Sequence, residues 1–141
     1  MKYWCIIWYN ESMKEGICSI LGMLLTYVVY LLGGIDIAMQ CLLIAIVLDY
    51  ISGMIKAFNL KQLSSKVGFK GIMKKVGVLL IVMLGVLVDR VTGDTGAIRT
   101  LVIYYFVANE GLSIIENLSL AGVPIPKGLK KALKALKEKG N

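Results

Sequence analysis

IAMQCLLIAIVLDYISGMIKAFNLKQLSSKVGFKGIMKKVGVLLIVMLGVLVDRV, residues 37–91, decides the fold. Residues 37–48 carry no charged side chain, and neither do residues 76–88. Between these runs stand Lys56, Lys61, Lys66, Lys70, Lys74 and Lys75, with no acid among residues 56–75. Two dry runs joined by a basic connection read as two helices crossing a bilayer. Short Lys-rich connections stay on the cytoplasmic side, which orients the pair. The second run reaches membrane length, over about residues 72–91, if Lys74 and Lys75 snorkel.

Outward from this centre the pattern repeats. Residues 16–35 are uncharged and give a span over about 16–33, broken by Gly33-Gly34. Ser19, Gly22 and Thr26 share one face of it, which suits close helix contact in lipid. Before it, MKYWCIIWYNESMKE places Tyr3, Trp4, Trp8 and Tyr9 where aromatic rings favour the headgroup level, as an interfacial segment. TGDTGA, residues 92–97, reads as a turn; no Lys follows as a phosphate loop requires.

Residues 98–120 form the fourth span. Asn109 and Glu116 lie seven apart, as do Glu110 and Asn117, so two adjacent polar stripes run down one side. A helix so marked packs into a bundle, lines water, or lies partly in the interface. The basic tail covers residues 124–141. Pro126 suits a first helical turn. Leu129, Ala132, Leu133 and Leu136 recur at helical spacing, with Lys127, Lys130, Lys131, Lys134 and Lys137 around them. Such an amphipathic helix suits an anionic lipid surface.

Composition agrees. Of 141 residues 57% are hydrophobic and 18% charged, with mean hydropathy +0.75. Soluble domains are about 45–50% apolar and about 25% charged. Sixteen Lys and Arg against nine Asp and Glu give a net charge of +7. Because the positive charge sits at the ends of apolar runs, it reads as a topology signal rather than a nucleic-acid surface. With no His and no ligand spacing among Cys5, Cys18 and Cys41, neither a zinc site nor a His-based triad is expected. The buried-run cysteines, Cys18 and Cys41, read as small hydrophobes. The expectation is one all-α integral membrane domain of four spans, or three if residues 98–120 do not cross. Four keeps both Lys-rich regions on one side and puts the N- and C-termini in the cytoplasm.

Asp49 is the unusual residue of the second span, since a carboxylate there costs on the order of 2.5–3.5 kcal/mol to insert. Ser52 and Lys56 follow on the same face, with Gly53 beside them. Asp49 is neutral, paired with a Lys from elsewhere, or turned to water. We take Asp49, Ser52, Lys56, Glu110 and Glu116 as a polar surface unsuited to lipid, which neighbouring copies bury or a water-filled opening exposes. Gly22, Gly53, Gly77 and Gly85 are expected helix contact points.

The ordered set LDYISGMIKAF (residues 48–58), SSKVGFKGIMKKVGVLLIVMLGVLVDR (residues 64–90) and RTLVIYYFVANEGLSIIENLSLAGVPIP (residues 99–126) closely resembles the toxin-secretion/phage-lysis holin family. The likeness covers about residues 17–137 and leaves the N-terminal segment outside it. It implies a small phage or prophage protein of the bacterial cytoplasmic membrane that accumulates harmlessly. At a set time such proteins assemble with themselves into lesions that release a peptidoglycan hydrolase, the endolysin; some relatives are linked to toxin export. Neither enzyme activity nor a cofactor is implied. The competing readings are a small ion-coupled transporter or channel using Asp49 or Glu110, and an adaptor working through the Lys tail.

Overall fold

Apolar runs bounded by glycine, proline and lysine become helices here because hydrocarbon offers backbone polar groups no partner outside the helix itself. The computed structural model describes residues 2–62, 64–93 and 95–139, with side chains from Met13 onward except at positions 67, 133, 136, 137 and 139. Among the described residues there are five helices and no strand: α1 Lys2–Leu31, α2 Ile37–Asn59, α3 Ser65–Thr92, α4 Ala97–Leu120 and α5 Lys127–Lys139. The chain divides into two units, residues 1–34 and 35–141. Four helices are long and apolar enough to cross a membrane.

The first unit is α1. At 30 residues it is about 45 Å long, more than the roughly 30 Å hydrocarbon core requires. The N-terminal segment continues into the first span without a break, and Met13–Leu31 is apolar enough to cross a membrane. Its aromatic side chains at positions 3, 4, 8 and 9 lie outside the described residues. Ser19 Oγ donates to Glu15 O and Thr26 Oγ1 to Gly22 O, both at 2.8 Å. Each hydroxyl is thereby satisfied by its own helix.

The second unit is built around α4, which packs along α2 and along α3, while α2 and α3 touch each other far less. Its core draws Met39 and Leu42 from α2, Val78, Val82 and Val86 from α3, and Ile103, Ala108 and Ile115 from α4. The outer faces are equally apolar: Ile44, Val47 and Ile51, then Leu80, Leu84 and Leu87, stand exposed. Helices that are apolar all round belong in lipid. α5 packs at the end of α4, with Pro126 O accepting from Leu129 N at 3.2 Å.

Three helices end alike. Gly33, Lys61 and Gly122 adopt positive φ, at 75°, 54° and 90°. Each donates to the carbonyl three residues back, and the next residue donates five back, so the orphan carbonyls of the last turn are filled. Glycine takes this conformation freely; Lys61 takes it against its own Cβ.

α3 begins at Ser65 rather than near residue 72, so Lys66 and Lys70 are helical rather than part of a loop. The connection between α2 and α3 shrinks accordingly. Lys75 does not snorkel: it points into the unit and is only 16% exposed.

Candidate functional site

Charged side chains of three helices converge in the half of the bundle nearer the Lys-rich end. Lys75 Nζ lies between two carboxylates, 2.6 Å from Asp49 Oδ2 and hydrogen-bonded to Glu110 Oε2. Asn117 Nδ2 donates to Asp49 Oδ1 and to Ser52 Oγ, each at 3.2 Å. Asn117 Oδ1 accepts from Lys56 Nζ at 3.2 Å, and Ser52 Oγ donates to Asp49 O at 2.9 Å. Two carboxylates thus meet two ammonium groups, and the formal charge of the set is zero. That balance makes the burial tolerable, because an ion in low dielectric is costly unless it is paired and its remaining hydrogen bonds are met. Asp49 lies about 18 Å along α2 from its start and Glu110 about 20 Å along α4, well inside the spans.

The register explains the convergence. On α3 the buried positions Val78, Val82, Val86 and Asp89 form one stripe, and Lys75 continues it one turn toward the Lys-rich end. On α4 the buried stripe is Ile103, Glu110 and Asn117, spaced by seven. The sequence reading takes Lys75 as a snorkelling lysine at the start of the third span; the structure turns it inward. Its spacing of seven from Val82 and fourteen from Asp89 was the available signal.

A second cluster ties the other end. Asp89, 1% exposed, accepts from Ile98 N at 3.0 Å and Arg99 N at 2.8 Å. These are free amides of the first turn of α4, whose own N-cap Gly96 has no side chain to offer. The carboxylate of α3 therefore caps α4. Arg99 also donates to Asp36 Oδ2 at 2.6 Å and to Oδ1 at 3.3 Å. Asp36 caps α2 by accepting from Met39 N at 2.8 Å. The Arg99 guanidinium holds the Asp36 carboxyl below its ordinary range, opposed by partial burial. Asp36, Asp89 and Arg99 were absent from the sequence-level site.

The five expected surface residues separate. Asp49, Ser52, Lys56 and Glu110 come together, joined by Lys75 and Asn117. Glu116 does not: it is exposed and lines a groove with Ile115, Ser119, Lys127 and Lys130. Of the two stripes on α4, the one through Glu110 and Asn117 faces inward. Within one chain Asp49, Ser52, Lys56, Lys75, Glu110 and Asn117 satisfy one another.

The glycines also divide. A Cβ at Gly85 would lie 3.2 Å from Arg99 Cα and 3.4 Å from Arg99 N, so α3 and α4 meet there backbone to backbone. One at Gly53 would lie 3.6 Å from Asn117 Nδ2. Gly77 has open space instead of a packing partner. Gly22 likewise meets nothing within its own unit. Lys127, Lys130, Lys131 and Lys134 of α5 are exposed; the Lys137 side chain lies outside the described residues. Among the described residues no three of His, Cys, Asp and Glu converge as a metal-ligand set.

Residues 26–138 match the model of the Bacteriophage holin family. An uncharacterized 14.9 kDa protein of the nagH 3′ region of Clostridium perfringens is 44% identical over 127 residues, covering 89% of this chain and 93% of that protein. The uncharacterized protein Lmo0128 of Listeria monocytogenes is 42% identical, covering 72% of each chain. A probable holin of Bacillus phage phi105 is 34% identical, covering 69% of this chain and 71% of the phage protein. No solved structure matches the chain.

Proposed function

Because the chain belongs to the bacteriophage holin family, we propose that it assembles with copies of itself in the bacterial cytoplasmic membrane into a lesion that releases an endolysin or a toxin. The observation that carries this reading is the charge-balanced set formed by Asp49, Ser52, Lys56, Lys75, Glu110 and Asn117 inside a bundle whose outer faces suit lipid. A chain built this way is tolerated by the bilayer as a subunit, yet it carries enough polar surface to line water once rearranged. A hole that passes a folded protein is far wider than one subunit could enclose, so many copies surround it. Gly22 and Gly77, each open within its own unit, are the contact points we assign to neighbours.

The Lys-rich α2–α3 connection and α5 belong on the cytoplasmic side, with both termini there. Lys127, Lys130, Lys131, Lys134 and Lys137 then face the anionic leaflet, at about 1 kcal/mol each. Neither enzyme activity nor a cofactor enters this proposal.

The test is induced expression in a bacterium, with membrane potential and release of a large cytoplasmic enzyme followed together. Delayed, sudden loss of both is expected. The second reading, a small ion-coupled transporter or channel, draws on the two carboxylates that meet at Lys75 within the spans. It predicts slow leakage of ions with the enzyme retained. Asp49→Ala and Glu110→Ala should shift lysis timing at equal expression; parent-like timing in both excludes these groups from the mechanism.

A further inference from the structure

We propose that the Lys75 bridge is a latch across the α2–α3 seam, and that the seam opens at its Lys-rich half when the lesion forms. This rests on the lesion-forming reading and adds which interface of the subunit gives way.

The bundle is unevenly joined. α4 packs along both α2 and α3, but the seam between α2 and α3 is thin. It is closed where Lys75 reaches Asp49, and where the Tyr50 ring lies over Gly68 and Gly71. A Cβ at Gly68 would stand 3.5 Å from the Tyr50 hydroxyl, and one at Gly71 3.9 Å from the ring. Neighbouring residues of α2, one charged and one aromatic, thus hold the seam. The opposite end is stapled differently. Asp89 caps α4, Arg99 reaches Asp36, and Gly85 brings the α3 and α4 backbones into contact. Motion is therefore confined to the half that carries the charges.

In lipid the latch holds itself shut. Separating Lys75 from Asp49 strands a carboxylate in hydrocarbon. When subunits crowd and water reaches the seam, the same groups are solvated and that penalty falls away. Ser52 and Gly53 lie on α2 one turn from Asp49, covered by Asn117 of α4, which is itself bonded to Asp49, so water that reaches Asp49 through the open seam reaches them next. Ser52, 3% exposed in the closed subunit, becomes accessible to water in the open one.

The experiment uses the full chain with Cys5, Cys18 and Cys41 replaced by Ala. Ser52→Cys and Gly53→Cys are introduced separately, with the outward-facing Ile44→Cys as control. A membrane-impermeant charged maleimide is applied to inverted vesicles taken before and after onset of enzyme release. Labelling of the Ser52→Cys and Gly53→Cys proteins should be slight before onset and rise about tenfold or more after it, as expected when a protected site opens. The Ile44→Cys protein should stay unlabelled throughout. Lys75→Met should bring onset forward at equal accumulation, and Lys75→Arg, which still bridges two carboxylates, should keep onset near the parent's.

If enzyme is released while both positions stay protected, water does not reach the Asp49 side of the seam and the inference is overturned, with the lesion reading intact. Labelling at full extent before onset overturns the closed latch, as does unchanged timing in Lys75→Met. If the parent releases no enzyme at all, the lesion reading fails first and takes the latch with it.

Discussion

Asp89→Ala removes the acceptor for two first-turn amides of α4, Ile98 N at 3.0 Å and Arg99 N at 2.8 Å. Hydrogen bonds to an ionised group contribute about 1.5–3 kcal/mol each, which sets a range of about 3–6 kcal/mol for the pair. The amides lie at the end of a span, where water replaces part of what is lost, so the expected destabilisation is about 3–4 kcal/mol. Asp89→Asn keeps one carbonyl acceptor but neither the second bond nor the charge, and should cost about half as much. The measurement is equilibrium unfolding in mixed micelles across an SDS titration, read by pulse proteolysis. Hydrogen exchange at Ile98 and Arg99 supplies the local readout and should quicken in Asp89→Ala before exchange elsewhere in α4 does. A cost under about 1 kcal/mol with unchanged exchange at those two amides refutes the capping argument, because a carboxylate that fills buried donors cannot be removed so cheaply.

Gly85→Ala should destabilise by about 1–3 kcal/mol, since its Cβ meets the Arg99 backbone. Gly77→Ala, with open space at the same site, should be neutral or stabilising by up to about 1 kcal/mol; micelle unfolding of both variants tests the contrast. Lys61→Gly should stabilise by about 0.5–1 kcal/mol, because it relieves the left-handed backbone at φ 54°; a lowered unfolding midpoint would refute that strain. The Asp36 carboxyl, held low by Arg99, contributes stability that is present above its unfolded pKa of about 3.9 and lost as pH falls through its lower folded value. Asp36→Asn should therefore flatten the acid limb of a melting-temperature profile below about pH 4 and leave a constant small deficit above it.

Four spans were legible because apolar run length and lysine placement are one-dimensional signals, and Gly33-Gly34 and Pro124 to Pro126 mark ends wherever they occur. The start of α3 was not, because Lys66 and Lys70 read as loop when their helix carries them on exposed positions past the dry run. Asp49, Ser52, Lys56 and Glu110 were found as residues that lipid rejects. Their partner Lys75 was hidden among lysines that serve topology, and only its register with Val82 and Asp89 separates it from Lys74. Glu116 shows the converse. It shares its stripe spacing with Glu110, but α4 turns only one of two adjacent stripes inward, and the choice depends on where α2 and α3 lie. The capping role of Asp89 needs the hairpin to be closed before it can be seen.

Synthesis runs from the N-terminus, so Asp89 leaves the ribosome before the amides it will cap. α3 entering alone would carry a bare carboxylate at its trailing end, and α4 entering alone would lead with unfilled amides. Together the two defects cancel. Residues 93–96 are the whole of the link between the helices, so the carboxylate and the amides it caps are close neighbours along the chain as well as in the fold. The pair is thus built to enter the bilayer as a preformed hairpin, and a longer link should slow that entry even where the finished fold is unchanged.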